Sequence, residues 1–130
     1  MFRVGDTEFG IDPERTEIRL GGSPGSRYLV VNISGDATVF DPLDAEEGSP
    51  WKGTLYPPEF QLFGGRCEEL AGYHTELPGD HDRNNLELAF YMLSHRPFEG
   101  RLSIDDGRMT VIGRASWRGE WLPVHIETDC

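Results

Sequence analysis

Two histidine–carboxylate pairs are the residues whose types and spacing come closest to acid–base chemistry. Glu76 follows His74 by two positions, and Glu127 follows His125 by two positions. Side chains two positions apart lie on the same face of a β-strand. On an open strand such neighbours form a surface charge pair, whereas catalysis also requires a substrate within reach. We interpret both pairs as surface pairs, and keep an enzyme centred on His74, Glu76 and His95 as the third of three hypotheses.

The segment Asp80–Asn84 begins like a calcium-binding loop, with oxygen-bearing side chains at alternate positions. A helix–loop–helix calcium site also requires glycine at the sixth loop position and glutamate at the twelfth. Asn85 and Tyr91 occupy those positions. We therefore predict no such motif and no metal, and leave an irregular calcium site around Asp80 and Asp82 as an open alternative.

Nucleophilic chemistry is not indicated either. Cys67 and Cys130 are the only cysteines, and no histidine adjoins Cys67 in the sequence to act as its base. In a reducing compartment both are expected to remain free thiols. The glycine-rich segment 21–25 lacks the lysine of a phosphate-binding loop. We expect no catalytic residue and no cofactor, and predict that the protein is not an enzyme.

The charged residues are distributed unevenly along the chain. The net charge is −11, and residues 36–82 hold eleven acids against only Lys52 and Arg66, which is −9 and leaves −2 for all other residues. An acidic chain is unsuited to binding nucleic acid or an anionic membrane through a basic surface. This acidic window either keeps the protein soluble or steers and binds a basic partner, and both interpretations stay open.

Aromatic residues lie among these acids, notably Trp51 and Tyr56. Aromatic rings supply contact area at an interface, and carboxylates pair with lysine or arginine of a partner. The residues predicted to bind such a partner are Asp41, Asp44, Glu46, Glu47, Trp51, Tyr56, Glu68 and Glu69. The second hypothesis is a β-sandwich module that binds calcium or a glycan. Its predicted residues are Trp51, Tyr73, Asp80, Asp82 and either Trp117 or Trp121.

The elements that must position these residues are predominantly strands. Sixteen glycines and nine prolines recur at short intervals, which is typical of short strands joined by turns. Asp106–Gly107 predicts a tight hairpin between strands Arg101–Asp105 and Arg108–Trp117. A further strand is predicted at Leu122–Glu127, and Pro123 within it favours an edge position in the sheet.

Three more strands and two short helices complete the predicted fold. Strands are predicted at Thr16–Leu20, Arg27–Ile33 and, as a central strand, Leu86–Ser94. Helices are predicted at Asp41–Gly48, where an aspartate cap precedes proline, and at Gly64–Ala71. We therefore predict a single domain over residues 1–130 that is mainly β, an antiparallel β-sandwich or open barrel with one or two short helices.

The segment WKGTLYPPEFQLF at Trp51–Phe63, with the strand-rich tail through Met109–Gly113, resembles a small bacterial immunity protein. Such proteins partner the toxins of contact-dependent or secretion-delivered competition systems. The resemblance implies a non-enzymatic inhibitor that covers the active site of one cognate toxin. Together with the acidic window it predicts a basic toxin as partner. We expect a cytoplasmic protein, because Met1–Asp6 does not begin a signal peptide. We also expect it to be a monomer or a homodimer.

Overall fold

The computed structural model describes residues 1–36, 58–77, 81–87, 98–117 and 120–130, with only the backbone of residues 7, 81–87, 116–117 and 120. These residues form two antiparallel sheets and one 3₁₀ turn, at Pro13–Arg15. The strands are β1 Phe2–Val4, β2 Thr7–Phe9, β3 Glu17–Gly21, β4 Tyr28–Ser34, β5 Glu59–Arg66, β6 His74–Leu77, β7 His81–Glu87, β8 Phe98–Asp105, β9 Arg108–Trp117 and β10 Glu120–Asp129.

The strands divide into a large and a small sheet. The large sheet has the order β2-β1-β10-β9-β8-β6, and the small sheet has the order β3-β4-β5-β7. Alternate side chains of each sheet point inward to one shared hydrophobic core. Phe60 of the small sheet and Phe98 of the large sheet meet edge to face, with ring centroids 5.3 Å apart. The predicted mainly β, sandwich-like fold is confirmed.

The hairpin predicted at Asp106–Gly107 joins β8 to β9. Both turn residues have positive φ, 54° and 74°, as a two-residue hairpin of the primed type requires. Asp105 and Arg108 are the register partners that close the turn. The local sequence is sufficient to specify this element, and the prediction is confirmed.

Strand β10 is not at an edge of the sheet, contrary to the expectation from Pro123. It lies between β1 and β9. The Gly5 amide donates to the Pro123 carbonyl oxygen at 2.9 Å, so the main-chain polar groups of Pro123 point towards β1 rather than β9. The last register pair of β1 with β10 is Val4–Val124. The missing proline N–H therefore falls just beyond the end of β1 and leaves the pairing with β9 intact.

The helix predicted at Gly64–Ala71 is wrong. Gly64, Gly65 and Arg66 end strand β5, and the two glycines have φ of +87° and +69°. A right-handed helix requires negative φ throughout. The register shifts beside both glycines and Tyr28, so the glycines accommodate an irregularity in the sheet. The helix predicted at Asp41–Gly48 lies outside the described residues.

The strands predicted in the N-terminal third are confirmed as β3 and β4, each within one residue of its predicted bounds. Strand β7 begins at His81, five residues before the start predicted from the apolar pattern at Leu86. Polar residues therefore extend this strand. The predicted central position is wrong, because among the described strands β7 lies at the edge of the small sheet beside β5. Residues 88–94 of the prediction lie outside the described residues.

Candidate functional site

Six of the eight residues predicted to bind a basic partner lie outside the described residues. They are Asp41, Asp44, Glu46, Glu47, Trp51 and Tyr56. Both ends of the segment that carries them, residues 37–57, are nevertheless described. Ser34 and Glu59 are register partners of β4 and β5, and the Gly35 amide donates to the Pro58 carbonyl oxygen at 2.9 Å. The chain therefore leaves and re-enters the small sheet at one and the same end.

Glu68, the seventh predicted residue, binds its own chain. Its carboxylate accepts hydrogen bonds from the backbone amides of Arg27 and Gly25, at 3.2 and 3.1 Å. These bonds lower the pKa of the Glu68 carboxyl, with smaller contributions from the nearby Arg66 and Arg27 guanidinium groups. The charged carboxylate thus fixes the loop that precedes β4 to the turn that follows β5.

Glu69, the eighth, is exposed beside Glu68. Its carbonyl oxygen accepts a hydrogen bond from the Cys67 thiol at 3.2 Å. Both glutamates follow the C-terminal end of β5, whereas segment 37–57 joins its N-terminal end. The eight residues of β5 span about 23 Å at the usual rise of a strand. Glu68 and Glu69 therefore lie at the opposite end of β5 from Pro58, where the chain re-enters the small sheet.

The other described acids of the acidic window lie at further positions. Asp36 is exposed at the start of segment 37–57. Glu59 pairs with Arg15 at 3.0 Å. Glu76 is on the solvent side of the large sheet, directly across from Arg101. The described acids of the window therefore do not form one continuous patch.

His74 and His125 lie on the solvent side of the large sheet, on β6 and β10. His74 Nε2 lies 3.1 Å from Asp105 Oδ1, so its partner is on the neighbouring strand rather than at Glu76. His125 Nε2 lies 3.5 Å from Glu127 Oε1, without the geometry of a hydrogen bond. Each of these histidines thus lies beside a surface carboxylate, His74 across to β8 and His125 along its own strand. His95, the third residue of the enzyme hypothesis, lies outside the described residues.

Both cysteines are free thiols. Burial raises the pKa of the Cys67 thiol, and the Glu68 carboxylate adds to the rise, while the bond to Glu69 opposes it. Burial also raises the pKa of Cys130. A thiol that resists ionisation is a poor nucleophile. Within the described ranges, no group of three or more histidine, cysteine or carboxylate side chains is placed to hold a metal.

Among the residues of the calcium or glycan hypothesis, Tyr73 and Trp121 are those whose side chains the structure describes. Trp51 and Asp80 lie outside the described residues, and only the backbone of Asp82 and Trp117 is described. Tyr73 is half-buried and packs against the core. Trp121 alone projects from the solvent side of the large sheet, 44% exposed.

The solvent side of the large sheet carries an arrangement that the sequence analysis missed. The Arg114 guanidinium lies 4.4 Å from the centre of the Trp121 ring, and its Nε donates to Glu99 Oε1 at 2.7 Å. Ile112, on the same face, is 45% exposed. The sequence could have indicated an exposed apolar residue here, because the adjacent residues Val111 and Ile112 of one strand cannot both face the core.

Two depressions of similar size lie on this face and meet at Gly113 and Pro123, with volumes of about 690 and 660 Å³. Strands β8 and β9 approach closely there, since a Cβ on Gly100 would lie 2.3 Å from the Ile112 carbonyl oxygen. The side chains around the depressions include Arg3, Glu8, Glu76, Glu99, Ile112, Arg114, Trp121 and His125.

No protein-family model, curated protein or solved structure matches this chain. Among the described residues, no helix is sufficiently long and apolar to span a bilayer. The function is therefore inferred from the charges, contacts and exposed surfaces of this chain.

Proposed function

We propose that this protein is an immunity protein, a non-enzymatic inhibitor that binds and neutralises a cognate basic bacterial toxin. The observation that carries the proposal is the anchoring of segment 37–57. Its two ends are held together by the Gly35–Pro58 hydrogen bond at 2.9 Å. Six of the eight predicted contact residues belong to the segment between these two flanking residues.

The charge of this segment supports a basic partner. Residues 36–57 contain five acids and one base, and the whole chain has a net charge of −11. Concentrated negative charge accelerates encounter with a cationic protein and disfavours acidic partners. Trp51 and Tyr56 supply the aromatic groups that typically dominate binding energy at an interface. The acids that attract the partner and the aromatic residues that bind it thus lie within one short segment.

Glu68 and Glu69 have different parts in this proposal. The Glu68 carboxylate already accepts two backbone hydrogen bonds, which stabilise the loop at Gly25–Arg27. Glu69 is exposed and remains available to a partner. We therefore place the principal contact at Asp41, Asp44, Glu46 and Glu47, and assign Glu68 to holding the loop.

The test is rescue of cells that express the gene directly upstream, which an immunity gene is expected to follow. The triple variant D44K/E46K/E47K should lose rescue, because it reverses three charges of the anchored segment. A matched control is E14K/E17K/D129K, which reverses three exposed acids outside the acidic window. The control should retain rescue, since exposed ion pairs contribute only about 0–1 kcal/mol each.

Binding of the purified upstream gene product provides the quantitative arm. For D44K/E46K/E47K the Kd should rise about 100-fold or more, which corresponds to at least about 2.7 kcal/mol. Its circular dichroism spectrum should match that of the wild type. Unchanged rescue and affinity in this folded variant would reject the acidic contact, and an upstream product that is neither toxic nor bound would reject the immunity function.

A further inference from the structure

The solvent side of the large sheet differs in charge from the rest of the chain. Around its exposed apolar residues lie three arginines and three glutamates, whose charges cancel. These residues, with Ile112 and Trp121, are here named the central outer face: Arg3, Glu8, Glu76, Glu99, Arg101, Ile112, Arg114 and Trp121. The same side also carries Asp105, Arg108, Glu127 and Asp129, so the described side chains of this side sum to −2, out of a net charge of −11 for the chain.

The charges on the central outer face are held in place. Arg3 pairs with Glu8 at 2.8 Å, and Arg114 is held between the Trp121 ring and Glu99. A guanidinium fixed in this way loses little further freedom when a partner covers it. Such preorganised charges surround an apolar centre, which is the usual anatomy of a protein interface.

The exposed apolar residues are of the kind that anchor interfaces. Trp121 and Ile112 are 44% and 45% exposed, and both adjoin the depressions that meet at Gly113 and Pro123. Tryptophan and arginine are the residue types most enriched among interface hot spots. A protruding side chain of one molecule and a depression of another are complementary in shape.

The face is large enough for a stable dimer. Six strands spaced about 4.8 Å apart give a width of about 24 Å, and the ten residues of β9 and of β10 give a length of about 30 Å. Because β1, β2 and β6 have only three or four residues, the strands together cover about 600 Å², at the low end of what each partner buries in an interface of standard size.

We infer that a second copy of this chain covers the central outer face and forms a symmetric homodimer. Two molecules of charge −11 repel one another through most of their surface, and the repulsion is weaker on this side, whose central charges cancel and whose described side chains sum to only −2. Interspersed charges of both signs allow the same patch to serve on both molecules, as a two-fold interface requires. A basic toxin finds no attractive field there, so this face and the acidic segment serve different partners.

Sedimentation equilibrium over about 1–200 µM chain tests the inference, a range that brackets a micromolar Kd. The wild type should show twice the monomer mass at the upper end. Trp121→Ser should raise the dimer Kd at least about 30-fold, as expected for a hot-spot residue. The matched control is Phe63→Ser, since Phe63 is 42% exposed on the solvent side of the small sheet. The control should change the Kd less than about threefold.

Ile112→Thr keeps the branched shape suited to a strand and provides a second, milder variant. It should weaken the dimer in the same direction as Trp121→Ser. A wild type that remains monomeric across the whole range would overturn the inference. Equal loss of dimer in Phe63→Ser and Trp121→Ser would also overturn it, because the contact would then not be specific to this face. Neither outcome depends on the upstream gene product.

Discussion

The central outer face and the acidic window use their carboxylates in different ways. On the face, the sheet register places each glutamate beside an arginine of the neighbouring strand, as for Glu99 with Arg114 and Glu8 with Arg3. In the window, eleven acids accompany two bases, and Glu68 binds backbone amides instead. Strand pairing thus brings together bases and acids that are far apart in sequence. In the two proposals made above, the face is suited to close contact with a second copy and the acidic window to attraction of a basic partner.

The largest effect is expected from disrupting the sheet beneath the face. In Gly113→Ala the new Cβ would lie 2.3 Å from the Glu99 carbonyl oxygen and 2.9 Å from Phe98 Cζ, so β8 and β9 must separate. The free energy of unfolding should fall by about 3 kcal/mol. Gly72→Ala is the control, with φ of +75° and open space around it, and should cost about 1 kcal/mol. Urea denaturation measures both, and equal losses would contradict the close approach of the two strands.

Salt should separate the two surfaces. Raising the NaCl concentration from about 50 to 500 mM shortens the screening length about threefold, so the complex with the upstream gene product should weaken about tenfold or more. The homodimer Kd should change less than about threefold, because its centre is apolar and its charges cancel. Isothermal titration and sedimentation equilibrium measure the two constants. A dimer that dissociates as steeply as the complex would show that the face is also electrostatically driven.

An intermediate effect is expected from the thiol of Cys67, which directly follows β5. Burial raises the pKa of Cys67, so above the ordinary thiol pKa of about 8.5 the unfolded chain loses this proton before the folded chain does. The free energy of unfolding should therefore fall as pH rises above that value. In the Cys67→Ala variant it should fall less steeply. The urea midpoint at several alkaline pH values measures the slopes. Identical slopes in the two proteins would exclude Cys67 as the cause.

The smallest effect is expected at Glu68. Because its folded pKa is lowered, its hydrogen bonds stabilise the protein above the ordinary glutamate pKa of about 4.3, and this stabilisation is lost as pH falls through the folded value. Glu68→Gln should lower Tm by about 2 °C or less at neutral pH and reduce the acid dependence of Tm. Glu69→Gln, at the exposed neighbour, should leave both unchanged. If both substitutions behaved alike, the Glu68 carboxylate would not be what fixes the loop.

Local sequence was sufficient where one turn or one alternation decides the structure. Asp106–Gly107 specifies its hairpin through positive φ at both positions, and the strand that follows continues the pattern. The same rules failed at Gly64–Ala71, because consecutive glycines are compatible with the positive φ of a bulge as well as with a turn after a helix. The edge position predicted from Pro123 is wrong because the proline affects only part of β10. It lies in the segment beyond the Val4–Val124 pair, where β10 has no partner on the β1 side.

The contacts that define the surfaces are non-local. Glu68 binds the amide of Gly25 from 43 positions away, and Arg114 meets Glu99 from 15 positions away. Neither pairing is specified by spacing or periodicity, because both depend on which strands are neighbours. The outward position of Ile112 was predictable from alternation, but its place opposite His125 required the order of β9 and β10.

The most direct test records self-association and toxin binding on the same variants. Purified D44K/E46K/E47K and Trp121→Ser are each analysed alone by sedimentation equilibrium and then titrated with the upstream gene product. We predict that D44K/E46K/E47K remains dimeric and loses the partner, whereas Trp121→Ser becomes monomeric and keeps it. One folded variant that abolishes both associations would contradict the separation of the two surfaces.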